Sequence, residues 1–205
     1  MKGEAIEMPT ECYACGKEGT VKMCVSSIPY FKEIIIMAFA CDFCGYKNNE
    51  IKQGGGISEK AMKLTFAVEQ QSDMNRDVFK SDTTVVKIPE IELELSIGTL
   101  GSQYTTVEGL LKKIYEELGE KNPFVVGDSS EYEEETYTPF KKFLAGLQDL
   151  IDFKRTFTLI LDDPLSNCWI YSELAPKPDP QIAKEVYERT EEQDDDLGIK
   201  YLEKC

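Results

Sequence analysis

The chain has 205 residues, 41% of them hydrophobic, and a formal charge of −15 from 38 acidic against 23 basic side chains, with no histidine. That length suits one ordinary domain plus a small module, with enough apolar residues for a buried core. The acidity works against a phosphate-backbone reader, and the missing histidine excludes Ser-His-Asp and Cys-His nucleophiles and His-ligated catalytic zinc.

Residues 1–10 read as a lead-in without a signal-peptide core, and no apolar run in the chain approaches the roughly 20 residues of a membrane span. Membrane insertion is therefore not expected. Cys12-Tyr13-Ala14-Cys15-Gly16 follows, and Cys41-Asp42-Phe43-Cys44-Gly45 matches it further on. Each is a thiol pair with two residues between, closed by a glycine. Two such knuckles facing each other complete the closed four-thiolate shell that structural zinc prefers. Cys12, Cys15, Cys41 and Cys44 are thus the expected ligands of one Zn2+. A shell of four protein thiolates keeps no open position for water, so this zinc should hold shape. Two disulfides or a redox dithiol are the rival readings. The gap between the knuckles is longer than in common ribbons, and its β-rich runs Val21–Val25 and Glu33–Phe39 predict a hairpin that brings them together.

Gly54-Gly55-Gly56 is the sharpest backbone punctuation and the expected join, giving a zinc module over 1–53 and a β-rich domain over 54–174. Met62–Glu69 alternates apolar and polar residues as a half-buried strand does. Val78-Phe79 and Thr83–Ile88 continue the β signal, and Ile91–Ile97 is strict alternation, read as a strand with one buried face. Thr105-Thr106-Val107-Glu108 fits a capping box with Thr105 as N-cap. The helix behind it carries Val107, Leu110, Leu111, Ile114, Tyr115 and Leu118 on one stripe and is expected to stop at Gly119. After an acidic stretch a second helix should start at Thr138-Pro139, with Phe140, Phe143, Leu144, Leu147, Leu150 and Ile151 inward. Together they predict a helical hairpin over about 105–154, inserted into the β domain. Thr156–Leu161 and Cys168–Tyr171 are strands, and Asp162-Asp163-Pro164 between them reads as a turn. From Ala175 the chain is Pro- and acid-rich, an acidic C-terminal tail over 175–205 that either docks on the β domain or awaits a partner.

These residues carry a resemblance. Cys12-x-x-Cys15-Gly16, Ile28–Met37, Cys41-x-x-Cys44-Gly45-Tyr46 and Asn49–Lys52 resemble the Zpr-type zinc-finger family. Met74–Ser81, Ile88–Leu95, Tyr104–Leu111, Asn122-Pro123-Phe124, Gly127-Asp128-Ser129, Asp163-Pro164 and Tyr187-Glu188-Arg189-Thr190 continue it over nearly the whole chain. Its eukaryotic members carry two finger-plus-domain modules in tandem. This chain has one, similar to the second. The resemblance implies an α+β, mainly β protein: a four-cysteine zinc ribbon, then a β-sandwich or double-stranded β-helix-like domain with an inserted helical hairpin. It also implies a non-enzymatic folding or biogenesis chaperone for translation elongation factor 1-alpha, found in cytoplasm and nucleus. Receptor kinase cytoplasmic regions and the survival-of-motor-neuron complex are further implied partners.

The acidic balance fits a basic protein partner, although solubility alone would also account for it. A zinc-ribbon nucleic-acid binder, a signalling adaptor without chaperone activity, and a thiol–disulfide enzyme are the alternatives. Within the interaction reading Tyr30 and Phe31, which follow Pro29 between the knuckles, are candidate anchors, since aromatics dominate binding hot spots. As hairpin residues they would only pack. Tyr187 and Arg189 are carried as partner-binding candidates by the resemblance.

Overall fold

The structure, a computed structural model, describes residues 5–120 and 134–199. The acidic stretch 121–133, with the Asn122-Pro123-Phe124 and Gly127-Asp128-Ser129 motifs, lies outside the described residues. The chain divides into two compact units, residues 1–58 and 59–205, so the boundary falls just after the glycine run.

The first unit is a four-stranded antiparallel meander of β1 (Ile6–Glu11), β2 (Glu18–Ser27), β3 (Glu33–Ala40) and β4 (Lys47–Gln53), in that order. β2 and β3 form the expected hairpin, with Thr20 opposite Ala40 and Ser27 opposite Glu33. Each knuckle therefore sits in a connection at the same end of the sheet, between β1 and β2 and between β3 and β4.

The second unit is a jelly roll built on two sheets. One has the order β12 (Ile182–Tyr187), β5 (Ala61–Val68), β10 (Phe157–Asp163), β7 (Val85–Ile88), β8 (Leu93–Leu95), and the other β11 (Trp169–Ile170), β6 (Asp77–Lys80), β9 (Gln103–Thr106). β5 (Ala61–Val68) and β10 (Phe157–Asp163) are the central pair, with Phe66 opposite Leu159 and Leu64 opposite Leu161. Their alternation puts Leu64, Phe66, Val68, Phe157, Leu159 and Leu161 into one core. β7 (Val85–Ile88) and β8 (Leu93–Leu95) extend that sheet, and β6 (Asp77–Lys80) joins β9 (Gln103–Thr106) and β11 (Trp169–Ile170) in the other.

Helices α1 (Val107–Glu120) and α2 (Glu134–Ile151) pack together along the core. Val107, Leu110, Leu111, Ile114, Leu147, Leu150 and Ile151 are buried there, with Tyr115, Leu118 and Phe143 partly buried beside them, as their spacing predicts.

Four expectations change in detail. Thr105 still belongs to β9, and the helix cap is Thr106, whose Oγ1 accepts from the Gly109 amide at 3.1 Å. Glu108 turns forward to Lys112 instead of back to the cap. Gly119 does not end α1, and α2 starts at Glu134, so Pro139 sits within its early turns. The long strand expected over Ile91–Ile97 is shortened to Leu93–Leu95, because Pro89–Ile91 forms a 3-10 turn and Glu92 takes a left-handed φ of 53°.

The expected turn residues Asp162 and Asp163 instead complete β10. The strand's alternation carries Asp163 onto the buried face, where its carboxylate accepts from Ser81 Oγ, from Thr83 Oγ1 at 3.0 Å, from Thr84 Oγ1 at 2.6 Å and from the Leu165 amide. Burying a carboxylate requires that its lone pairs be filled, and these donors do so.

The segment read as an acidic tail docks. β12 (Ile182–Tyr187) is an edge strand of the five-stranded sheet, with Ile182 opposite Phe66 and Tyr187 opposite Ala61. Arg76 ties its approach down: the guanidinium reaches Asp73 at 3.1 Å, Asp179 at 2.7 Å and the Gln181 side-chain oxygen, and lies over the Phe66 ring. Beyond it Thr190 caps α3 (Glu191–Asp196) by accepting from the Gln193 amide.

Candidate metal centre

The two knuckles have the same local geometry, dictated by the same residue pattern. The Cys12 amide donates to Lys17 O at 2.8 Å and the Gly16 amide donates to Cys12 O at 2.8 Å; at the second knuckle Cys41 pairs with Tyr46 and Gly45 with Cys41, both at 2.9 Å. Closing each turn needs a left-handed residue, and Gly16 and Gly45 supply it with φ of 69° and 73°. The first thiol of each pair, Cys12 and Cys41, is buried, while Cys15 and Cys44 are exposed.

All four sulfurs lie within 4.8 Å of one another, with Cys12 Sγ 3.7 Å from Cys44 Sγ and Cys15 Sγ 3.6 Å from Cys41 Sγ. A tetrahedron with Zn–S bonds of about 2.3 Å has sulfur–sulfur edges of about 3.8 Å, so the cluster has the size of a zinc shell. A disulfide needs a separation of about 2.05 Å, and all four thiols are free. The four thiols do not ionise evenly by themselves. The Cys44 amide, with that of Phe43 and neighbouring thiols, brings Cys41 down to about 7 against the pull of burial. Cys44, although drawn down by the Tyr46 amide, is pushed up to about 12 by partial desolvation at its exposed position and by its three neighbouring thiols. A divalent cation removes that conflict by taking all four as thiolates. The donor set fits Zn2+.

Around the shell the ribbon has little core. Phe39 is buried against Cys12 and Cys41, with Val21 beside them. Its ring lies on Gly19, where a Cβ would come within 2.5 Å of it. Tyr13 and Phe43, one in each knuckle, are 89% and 66% exposed, and Lys17 Nζ stands 4.7 Å from the Phe43 ring centroid. The sequence reading passed over these two rings, although a position between two inward-pointing ligands is a signal for an outward one.

The four partner-binding candidates divide between the two units, Tyr30 and Phe31 in the first and Tyr187 and Arg189 in the second. Tyr30 is at the β2–β3 tip, 72% exposed and held at a φ of 60°, with Phe31 half-buried next to it. Tyr187 and Arg189 are turned inward instead. The Tyr187 hydroxyl donates to Asp162 at 2.6 Å and burial leads in raising it to about 12. Arg189 Nε donates to Asp194 at 2.6 Å and Nη1 to Pro164 O. Both secure the C-terminal segment.

The ribbon and the jelly roll together define a protein class: a zinc-stabilised module followed by a jelly-roll β domain with helical cover. The sequence matches the family descriptions "ZPR1 zinc-finger domain" over residues 4–59 and "ZPR1 jelly-roll domain" over residues 72–199. The chain belongs to the ZPR1 zinc-finger family. It is 41% identical over 198 residues to the zinc finger protein ZPR1 homolog of Caenorhabditis elegans, covering 97% of this chain and 43% of that protein. It is 41% identical over 193 residues to the zinc finger chaperone zpr1 of Schizosaccharomyces pombe, covering 92% and 40%. An uncharacterized ZPR1-like protein of Pyrococcus horikoshii is 24% identical over 167 residues, covering 80% and 72%. The chain thus spans about two-fifths of the length of its eukaryotic relatives. Among the described residues no helix is long and apolar enough to cross a membrane.

Proposed function

We propose that this chain is a zinc-stabilised, non-catalytic interaction module of a folding chaperone for translation elongation factor 1-alpha. The observation that carries the reading is an uneven distribution of charge. Residues 1–58 hold seven acidic and six basic side chains, whereas residues 59–205 hold 31 acidic against 17 basic. A nearly neutral ribbon offering exposed Tyr13, Tyr30 and Phe43 suits apolar contact, and the acidic jelly roll suits steering of a basic partner. A protein that binds RNA through basic faces has that complement. The chaperone name of the S. pombe relative supports the same direction. Receptor kinase cytoplasmic regions and the survival-of-motor-neuron complex are secondary partners in this proposal, with action in cytoplasm and nucleus. A nucleic-acid role has two cation–ring pairs of the ribbon in its favour, Lys17 with Phe43 and Lys32 with Phe31, against the overall acidity.

The test is direct binding of zinc-loaded chain to purified elongation factor 1-alpha across a salt series. Saturable binding is expected, with association slowing as salt rises while dissociation changes much less, because screening shortens the field to about 8 Å at physiological ionic strength. No binding at low salt would refute it.

A further inference from the structure

One face of the ribbon sheet is apolar and open at one side. In register, Met8 lies opposite Val21 and Val21 opposite Phe39, while Ile6 lies opposite Met23 and Met23 opposite Met37. Directly opposed residues share a face, as do residues two apart along a strand, so these side chains stand together. Val25 and Ile35, opposite each other, extend the face toward the hairpin tip. Glu7 and Lys22, which pair at 2.8 Å, lie on the other face. Phe39 is buried and Val21, Met23, Ile35 and Met37 are half-buried, but Met8 and Val25 are each 40% exposed and Ile6 is 57% exposed.

At its knuckle end this face sinks into a hollow of about 150 Å³. Val21, Met37 and Phe39 supply its apolar floor, the exposed Tyr13 stands at its margin, and Thr10, Asn48 and Glu50 complete the lining. Size narrows the occupant first. Pockets for cofactors and other small molecules run to about 300–1,000 Å³, whereas a cavity of roughly 150 Å³ holds a single benzene ring, so the hollow matches one side chain. Charge narrows it further. Both carboxylate oxygens of Glu50 are engaged, Oε1 by Asn48 Nδ2 at 3.0 Å and Oε2 by Lys52 Nζ at 3.5 Å, which leaves no open anion for a cation. No basic residue lines the hollow to receive a phosphate, so a neutral, apolar side chain is the complement. The rest of the face suits a run of such side chains, because the unbranched thioethers of Met8, Met23 and Met37 reshape around what they meet.

We propose that the hollow between Tyr13, Val21, Met37 and Phe39 receives one leucine- or phenylalanine-sized side chain of an amphipathic polypeptide segment, whose further apolar residues lie along Met23, Met8 and Ile6. The assignment deepens the interaction reading above by naming the partner's chemistry, and rests on that partner being a protein.

Methionine methyl resonances report occupancy, since Met8, Met23 and Met37 lie on the face while Met62 and Met74 are buried in the other unit and serve as controls. The probe is a short, net-neutral peptide with leucines spaced along one helix face, beside a control with serine at those positions. It is titrated into the zinc-loaded full chain labelled at its methionine methyls. The leucine peptide should shift Met37 and Met23 saturably and leave Met62 and Met74 in place, and the serine peptide should shift none. Met37→Glu puts a carboxylate on the apolar floor and should weaken binding at least about tenfold, read at Met23 and Met8. Tyr13→Ala should weaken it about three- to tenfold. Should Met37→Glu lose its zinc or fail a far-UV circular dichroism check, Tyr13→Ala at its exposed position decides. Absence of binding overturns the proposal. So does binding that moves only other resonances, or that tolerates both substitutions. Shifts of Met37 and Met23 on concentrating the chain alone would make a second copy the occupant, and shifts caused by single-stranded oligoadenylate but not by the peptide would make it a nucleic acid; either result overturns the proposal. Capture of elongation factor 1-alpha is measured separately. Peptide binding without factor capture rejects the chaperone reading and keeps this site; factor capture without peptide binding rejects this site alone.

Discussion

Removing one zinc ligand should separate the two units of the chain. Burial of a large apolar side chain contributes about 1.5–3 kcal/mol, and in the ribbon Ile28, Ile34 and Phe39 are the large buried ones among the described residues. Structural zinc contributes about 10–16 kcal/mol of apparent binding energy at neutral pH, more than those three side chains together. The metal is therefore the largest single term holding the meander. Cys41→Ser removes one of four thiolates, and a quarter of that binding energy, about 2.5–4 kcal/mol, is a loss of roughly a few hundredfold in affinity. The assay is competition against a chromophoric chelator, paired with hydrogen exchange resolved by segment. The native chain should release one zinc per molecule. Cys41→Ser should bind it a few hundredfold more weakly and lose protection across β2 and β3, while β5 and β10, which belong to the other unit, keep theirs. An affinity within tenfold of the native chain, or unchanged protection of β2 and β3 after full chelation, would refute the reasoning.

Further outcomes follow from particular contacts. Arg76→Ala leaves Asp73 and Asp179 buried without their cation, so thermal unfolding should show a loss of about 3–5 kcal/mol. Asp179, despite burial, is held below its ordinary 3.8 by the Gln181 amide, the Ser172 hydroxyl and Arg76. Its contribution is fully present above that value and is lost as pH falls through the lower folded one, so an acid titration should loosen β12 only below about pH 4, and at higher pH in Arg76→Ala. Asp163→Ala removes the shared acceptor of three hydroxyls and should cost at least about 3 kcal/mol by denaturant unfolding. Tyr30→Gly suits the left-handed φ, so the melting temperature should hold or rise while affinity for elongation factor 1-alpha falls by about 2 kcal/mol if Tyr30 is an anchor. Ending the chain at Lys184 removes half of β12 and the Tyr187–Asp162 bond, so the jelly-roll transition should shift down while zinc content stays at one per chain.

What could be read from the sequence was local. The ligand spacing of the knuckles and the glycine closing each turn lie within a few residues, and they anticipated the metal centre and the hairpin between its halves. The helical stripes were equally legible, because Leu110, Leu111, Ile114, Leu147 and Leu150 all face one core. Ile91–Ile97 misled because alternation records which side chains want burial, and two backbone events, the turn from Pro89 and the left-handed Glu92, decide how much of it pairs.

The remaining features depend on contacts between distant residues. Asp163 looked like a turn former beside proline, and only its hydroxyl partners, about 80 residues earlier, show it to be buried. β12 was hidden by its acidic surroundings and its edge position: Ile182 packs on the core, while Val186 is 54% exposed, so its alternation is faint. Tyr187 and Arg189 show the same limit from the other side. The motif alone does not say which way its side chains turn, and a half-buried clamp leaves the same trace in sequence as a binding surface. The row of Trp169, Phe79 and Tyr104 is assembled by register across three strands from segments far apart in the chain. There the direction of each side chain is set by the residue it faces across the sheet, which no single segment records.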